Sequence, residues 1–260
     1  MAQVVEKNQV AQKTANEDEA NLQVFLSRSQ AAFEGGECRE ANYYLESRHV
    51  RHKEASRFGV GAFNRGQAIQ ASSGYPELNK FVTRVWGSGT RLVFPLRNVV
   101  GNLRSIETRD IDQKSFRDFQ IPAAKFEGVF FGFHECVETV YNLSRIYIVE
   151  SIIDVLALME VASAWPLVAI GTNGMSAPQE ATVRRFVKAI GVCFDRDGPG
   201  IEGWKRLVHK KSDLPCRIAT LQWDGVDGVD MQGIKDFGDM IERYGKYSAL
   251  RLLESSFGRP

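Results

Sequence analysis

The sequence predicts an α/β fold, a mostly parallel sheet flanked by helices and preceded by a basic α+β region. Three observations predict it. Short runs of β-branched and apolar residues recur at 145–150, 167–170 and 191–194, each followed by a helical pattern, the alternation that builds a parallel sheet. Two of these runs end on acids, Glu150 and Asp195-Arg-Asp197. Upstream, residues 39–117 carry 14 Lys and Arg against 7 Asp and Glu, a local excess of 7 positive charges in a chain whose formal net charge is only +1.

Residues 1–20 are rich in Gln, Asn, Glu and Lys, bury little, and are expected to form a mobile tail or frayed helix. From Ala20 the spacing of Leu22, Phe25, Ala31 and Phe33 is helical, and Gly35-Gly36 breaks it before a second helix with Ala41, Tyr44 and Leu45. Arg91-Leu-Val-Phe-Pro-Leu-Arg97 reads as a strand. A turn at 98–101 follows, and 103–109 returns as its hairpin partner. The run Arg145-Ile-Tyr-Ile-Val-Glu150 is a buried strand, with Ser151 as N-cap of a helix through Ile152, Ile153 and Leu156. A helix is expected over about 178–190, with Pro178 early, where proline is tolerated. After Asp197-Gly-Pro-Gly200 a helix runs through Trp204 and Leu207, and residues 216–223 make a last strand. Asp236 then caps a helix, and 247–257 form an amphipathic one.

The acids suggest chemistry. Asp154 lies four residues after Glu150, one turn into its helix, so both carboxylates can face one crevice. Asp195 and Asp197 are i and i+2 of an extended chain and point the same way. Carboxylates at the carboxyl ends of strands in a βαβ series stand where open α/β sheets keep their sites. An all-oxygen set of this density suits Mg²⁺ or Mn²⁺. Zinc is not expected, because Cys38, Cys136, Cys193 and Cys216 are widely separated with no CxxC pair. Hydrophobic residues at 43% and charged residues at 25% exclude wholesale disorder. No apolar run approaches the roughly 18 residues of a membrane span, so no membrane partner and a cytoplasmic location are expected.

The segments Val149-Glu-Ser-Ile-Ile-Asp-Val-Leu-Ala-Leu158, Ile170-Gly-Thr172 and Phe194-Asp-Arg-Asp-Gly-Pro-Gly200 together resemble the TOPRIM fold, a Rossmann-like unit shared by bacterial-type primases and topoisomerases. The DnaG-like primase core fits best, because its helix carries the same D-V-x-A-L pattern. Serine stands at 151 where that family usually has glycine. Further stretches resemble the primase core in the family's order: Tyr44-Leu-Glu-Ser-Arg48, Arg57-Phe-Gly-Val-Gly61, Val93-Phe-Pro-Leu-Arg97, Lys114-Ser-Phe-Arg117 and Phe130-Phe-Gly-Phe-His-Glu135. The resemblance covers about residues 22–250.

By resemblance, Glu150, Asp195 and Asp197 are the catalytic carboxylates. Glu150, Asp154, Asp195 and Asp197 hold metal, joined by Asp236 and Asp239 of a KDxxD segment, for two or more Mg²⁺ or Mn²⁺ ions. Arg57, Arg97, Arg109 and Lys114 are implied contacts to template or nucleotide. Lys125 or, alternatively, Glu127 aligns with a later family lysine. The implied activity is synthesis of short RNA primers on single-stranded DNA from ribonucleoside triphosphates, with a replicative helicase or zinc-module protein as partner. A TOPRIM nuclease and a non-catalytic binder of single-stranded nucleic acid are the alternatives. The expected organisation is a tail at 1–20, a basic subdomain at 21–140, the TOPRIM domain at 141–225, and an acidic loop with helices at 226–260.

Overall fold

The computed structural model describes residues 2–257, apart from 114, 125–126, 172–174, 210–215, 222, 224–225 and 227. The chain divides into two compact units, one made of Met1–Tyr44 with Ser56–Glu127, the other of Leu45–Ala55 with Gly128–Pro260. This differs from the sequence expectation. Residues 128–140 and the short segment Leu45–Ala55 belong to the second unit.

The helices α1 (Ala2–Glu34), of the first unit, and α2 (Arg39–Ser47), whose last three residues fall in the second, are separated by the turn at Gly36, whose φ of 74° glycine adopts without a Cβ penalty. Of the two expectations for residues 1–20, a tail or a helix, residues 2–20 are helical and form part of a 33-residue helix. Its residues are polar, but neither glycine nor proline occurs before Gly35, so nothing interrupts helical propagation. Polar composition predicts poor burial without predicting the absence of a helix. Near its middle, Glu19 accepts from Arg104 Nη1 at 2.7 Å.

After α3 (His52–Arg57) come β1 (Gly61–Phe63), α4 (Arg65–Ser72), α5 (Pro76–Val85), β2 (Arg91–Arg97), β3 (Leu103–Asp110) and β4 (Phe116–Gln120). The four strands form an antiparallel sheet in the order β1-β2-β3-β4. One face buries Val93 and Ile106 against Leu22, Phe25 and Leu26 of α1 and Leu78, Phe81 and Val82 of α5. Phe25 meets the rings of Phe63 and Trp86 edge-on, with centroids at 5.2 and 6.1 Å, and the Trp86 indole N–H donates to Phe63 O at 3.1 Å.

The fit between α1 and β1 leaves no room at Gly61. A Cβ there would lie 2.1 Å from Ser29 Oγ and 2.7 Å from the Ser29 carbonyl carbon. Gly61→Ala is expected to destabilise the protein by about 2 kcal/mol, the cost of overpacking a well-filled interior. Thermal melting checks this, and an unchanged midpoint would mean that α1 and β1 can separate freely.

The second unit carries the parallel sheet. Its elements are α6 (Val137–Leu143), β5 (Arg145–Val149), α7 (Ile152–Leu158), β6 (Leu167–Ala169), α8 (Ala177–Phe186), β7 (Ala189–Cys193), α9 (Gly198–His209), β8 (Arg217–Thr220), α10 (Phe237–Tyr244) and α11 (Lys246–Phe257). The strand order is β6-β5-β7-β8 and every pair is parallel. β5 and β7 are buried from their second residue onward, as expected for central strands covered on both faces. The helix expected to reach 190 ends at Phe186. Val187 turns extended and Ala189 already pairs with Arg145, so β7 claims these residues. Glu160 joins Arg51 and, at 2.5 Å, Lys246.

Candidate active site

Chain order sends β5 to β6 on one side and then back across β5 to β7 on the other. The connections therefore diverge between β5 and β7, and the crevice at the carboxyl ends of those two strands is where such sheets bind ligands. Glu150 follows β5, and Phe194-Asp195 follows β7. Ser151 accepts from Ile153 N at 3.1 Å and caps α7, whose first turn places Asp154 nearly buried at 5% exposure.

Asp197 Oδ1 accepts from Gly200 N at 2.8 Å at the start of α9, and Glu150 Oε1 accepts from Asp195 N at 3.1 Å. Gly200 is pressed against both. A Cβ there would stand 2.2 Å from Asp195 O and 2.7 Å from Glu150 Oε1, so only glycine lets α9 start this close to the two acids. The downstream acids are tied in by backbone. Arg196 N donates to Lys235 O at 2.6 Å, and Arg196 Nη1 donates to Met231 O at 3.0 Å. Asp236 then caps α10 by accepting from Asp239 N at 2.7 Å, while Asp239 Oδ2 accepts from Lys235 N at 2.8 Å.

Charge gathers at Asp195. Its carboxyl is pushed up to about 8, first by burial and then by the negative charges of Asp154, Glu150, Asp236 and Asp197. Glu150 is also raised, by burial and by Asp197, against the opposing pull of the Asp195 N–H bond. The structure thus brings together five of the six acids singled out in the sequence. Asp239 stands one helical turn behind Asp236, bonded to Lys235 N.

This donor set fits a hard divalent cation. Every group is a carboxylate, the ligand type of Mg²⁺ and Mn²⁺. Among the described residues, no three of these side chains already converge at metal-holding spacing. Glu150, Asp197, Asp236 and Asp239 each turn one oxygen to a backbone N–H. A carboxylate has a second oxygen to present. Mg²⁺ also needs only one or two carboxylates when substrate phosphates and water complete its shell.

The cations singled out in the sequence fare differently. Arg57 is exposed. Arg97 is half-buried and donates to Gly101 O at 3.0 Å. Arg109 is only 8% exposed, its guanidinium 4.4 Å from the Phe116 ring centroid and 5.5 Å from that of Tyr44. Its charge also pulls down Glu107, a carboxyl that burial and Asp118 push up to about 7. Arg109 is thus held by stacking and charge rather than displayed on an open surface. Lys114 and Lys125 lie outside the described residues.

Two features went unrecognised in the sequence. Arg48, in the quoted Tyr44–Arg48 motif, lies near Asp236: a Cβ on Gly238 would be 3.1 Å from Asp236 Oδ1 and 3.4 Å from Arg48 Nη2. In the first unit, Arg65, Arg84, Arg91 and Arg117 line a cavity of about 650 Å³ together with Asp110 and Asp118. Arg65, Arg84 and Arg117 are exposed. Arg91 is the buried floor, bonded to Thr108, Asp110 and Ser115. The only sequence signal for this cavity was the collective positive charge of the region.

Comparison with known proteins agrees with this architecture. Residues 147–234 match the Toprim-like family model. A DNA primase of Borreliella burgdorferi is 25% identical over 229 residues, 81% of this chain and 42% of the relative, so the chain spans less than half that protein's length. The zinc-binding and RNA polymerase domains of the Aquifex aeolicus primase superpose with a TM-score of 0.68 at 21% identity, covering 91% of this chain and 61% of that one. A DnaG primase catalytic domain bound to single-stranded DNA gives a TM-score of 0.63 at 18% identity, covering 91% and 80%. With its antiparallel first unit, its parallel β6-β5-β7-β8 sheet and its acids at the β5/β7 crevice, the chain carries a Toprim-like domain within the fold of the DnaG-type primase catalytic core.

Proposed function

We propose that this protein is a primase-type nucleotidyltransferase that synthesises short RNA primers on single-stranded DNA from ribonucleoside triphosphates in DNA replication. What supports the reading is the meeting of Glu150 and Asp195 at the carboxyl ends of β5 and β7 of a Toprim-like sheet, joined by the Asp195 N–Glu150 Oε1 bond. Asp195 and Asp197 would be the main ligands of Mg²⁺ or Mn²⁺. Glu150 and Asp154 stand beside them, and Asp236 with Asp239 would serve a further ion. Such ions, when bound, offset charge developing on the transferred phosphoryl group and the pyrophosphate leaving group. The chain's own contribution is to hold these carboxylates by backbone bonds and to keep Gly200 bare, so that α9 starts hard against Asp195 and Glu150.

The Arg65, Arg84 and Arg117 cavity, with Arg57 and Arg97, supplies phosphate contacts for the template. A DnaG primase catalytic domain of similar fold has been solved bound to single-stranded DNA, which supports a DNA template as the ligand. A zinc module like that accompanying the Aquifex polymerase domain, in the same or a partner chain, would assist template recognition, and a replicative helicase would deliver the strand.

Affinity for single-stranded DNA should fall as salt rises. Replacing Arg65, Arg84 and Arg117 together by Ala should reduce the slope of log affinity against log salt by about 2, at roughly 0.7 per phosphate contact on a single strand. An unaltered slope would place the template elsewhere. The reading as a whole is tested by incubating the protein with labelled ribonucleotides and circular single-stranded DNA. New RNA that disappears with chelator supports it, whereas shortened DNA without incorporation would indicate a nuclease.

A further inference from the structure

The end of the parallel sheet remote from the acids carries the opposite charge. β5 opens on Arg145, β7 follows Lys188 and β8 opens on Arg217, and the register sets Arg145, Ala189 and Arg217 level across the three strands. Backbone bonds tie this edge together. Ser144 O accepts from Lys188 N at 2.7 Å, and Lys188 O accepts from Arg217 N at 2.8 Å. Arg184 and Arg185 stand in the last turn of α8, just before Lys188. The charge of Arg184 reaches Cys216, next to Arg217, and pulls its thiol down against the rise that burial imposes. Arg184, Arg185, Lys188 and Arg217 are all exposed. The acids of the adjoining helices are Glu138 on α6 and Glu180 in the first turn of α8. Arginines in a last turn complement the helix dipole, but Lys188 and Arg217 lie outside any helix, so that role does not account for them.

Apolar side chains stand beside these cations. α6 leads directly into β5, and its end displays Tyr141, 79% exposed, and Leu143, 38% exposed, while Val140 of the same helix is buried. Ser144 caps α6 and its carbonyl accepts from both Lys188 N and Ala189 N, so this end of the helix is fixed to the cationic edge. Single exposed apolar residues are ordinary. A tyrosine set among arginines, however, is the composition enriched at protein interfaces, where these two residue types supply many of the energetic anchors.

We infer that this edge is a docking surface for an extended acidic segment of a partner protein, one that carries an aromatic or aliphatic side chain among its Asp and Glu residues. Charge complementarity selects an anionic occupant. The apolar end of α6 selects a peptide over a nucleic acid, because Leu143 offers an aliphatic surface that a hydrophobic side chain fills, whereas bases stack on aromatic faces. The surface stands apart from the nucleotidyltransferase reading. β5 and β7 each span five residues, so roughly 16 Å of strand separates it from the acids and a docked segment leaves their crevice open.

The test pans a phage-displayed library of random dodecapeptides against the immobilised full chain and measures the recovered peptides by fluorescence anisotropy. They should combine Asp or Glu with Phe, Trp, Leu or Ile, and their affinity should fall as salt rises. Tyr141→Ser should weaken them at least about fivefold, the loss that marks an anchoring residue. Arg184→Glu combined with Lys188→Glu should weaken them at least about tenfold, because like charges then face one another. Both variants change exposed side chains, and melting curves establish that they are folded. At about 0.15 M salt their affinity for oligo(dT) should stay within about twofold of the wild type, since charges more than about 8 Å away are screened. Recovery of no peptide, of peptides without acids, or of peptides that both variants bind as the wild type does would overturn the inference. So would a loss of oligo(dT) binding as large as the loss of peptide, which would make this edge a nucleic-acid surface.

Discussion

Asp195→Asn is expected to lower metal-dependent ribonucleotide incorporation on the order of 10³-fold while leaving the protein folded. The replaced carboxylate is the one on which the charges of Asp154, Glu150, Asp236 and Asp197 converge. Losing one centre of charge stabilisation in a preorganised site costs roughly that much. The same substitution should act on stability in the opposite direction. The Asp195 carboxyl binds its proton more tightly in the folded protein, at about 8, than at its ordinary value of 3.8. Its favourable contribution is therefore complete below about 4 and lost as pH rises through about 8. Without added metal, the Asn variant should melt above the wild type at pH 9 and lose that advantage toward pH 4. Magnesium should narrow the gap by stabilising only the wild type through mass action. A variant that incorporates nucleotides at near-normal rate would remove Asp195 from the metal site. Parallel melting curves at all pH values would show that the acids do not repel one another.

The largest loss of stability is expected from Arg91→Ala. Arg91 is 2% exposed, its Nη1 lies 3.2 Å from Asp110 Oδ2, and it also bonds Thr108 and the carbonyls of Thr108 and Ser115. Truncation leaves the Asp110 carboxylate buried without its cationic partner, held by the N–H groups of Asp112 and Gln113, opens a void beside Trp86, and removes one donor each from the carbonyls of Thr108 and Ser115. Breaking a buried ion pair from one side costs about 3–5 kcal/mol. Denaturant unfolding should report a loss in that range. A change under about 0.5 kcal/mol, the usual effect of surface substitutions, would mean that the cavity floor is solvated and the pair contributes little.

Much of the site was legible because it sits at strand ends. A buried strand is a short apolar run, and the residue after it must emerge at the carboxyl edge of the sheet, which placed Glu150, Asp195 and Asp197 before any coordinates. Asp154 was placed by helical spacing, whereas Asp236 entered the set only through the resemblance of the KDxxD segment, since its position alone reads as a helix cap. Other features depend on contacts between distant segments. The order β6-β5-β7-β8 is set by crossovers that no local pattern encodes. Arg109 read as an available cation, yet the rings of Tyr44 and Phe116 enclose it, and one of those rings lies far upstream in the chain. Arg65, Arg84 and Arg117 come from α4, α5 and β4 and share a cavity only once the sheet forms. For the first 20 residues composition left a tail and a frayed helix both open, since polarity argues against burial while helix formation needs only the absence of breakers.

The most direct test of the central claim is template-matched synthesis by the purified chain. On oligo(dT) bearing a short annealed oligo(A) primer, with Mg²⁺ present, labelled ATP should be incorporated in preference to labelled CTP, and oligo(dG) with an oligo(C) primer should reverse the preference. Chelator should abolish both signals. Incorporation indifferent to template, or none from a protein that binds both DNA and Mg²⁺, would contradict the account.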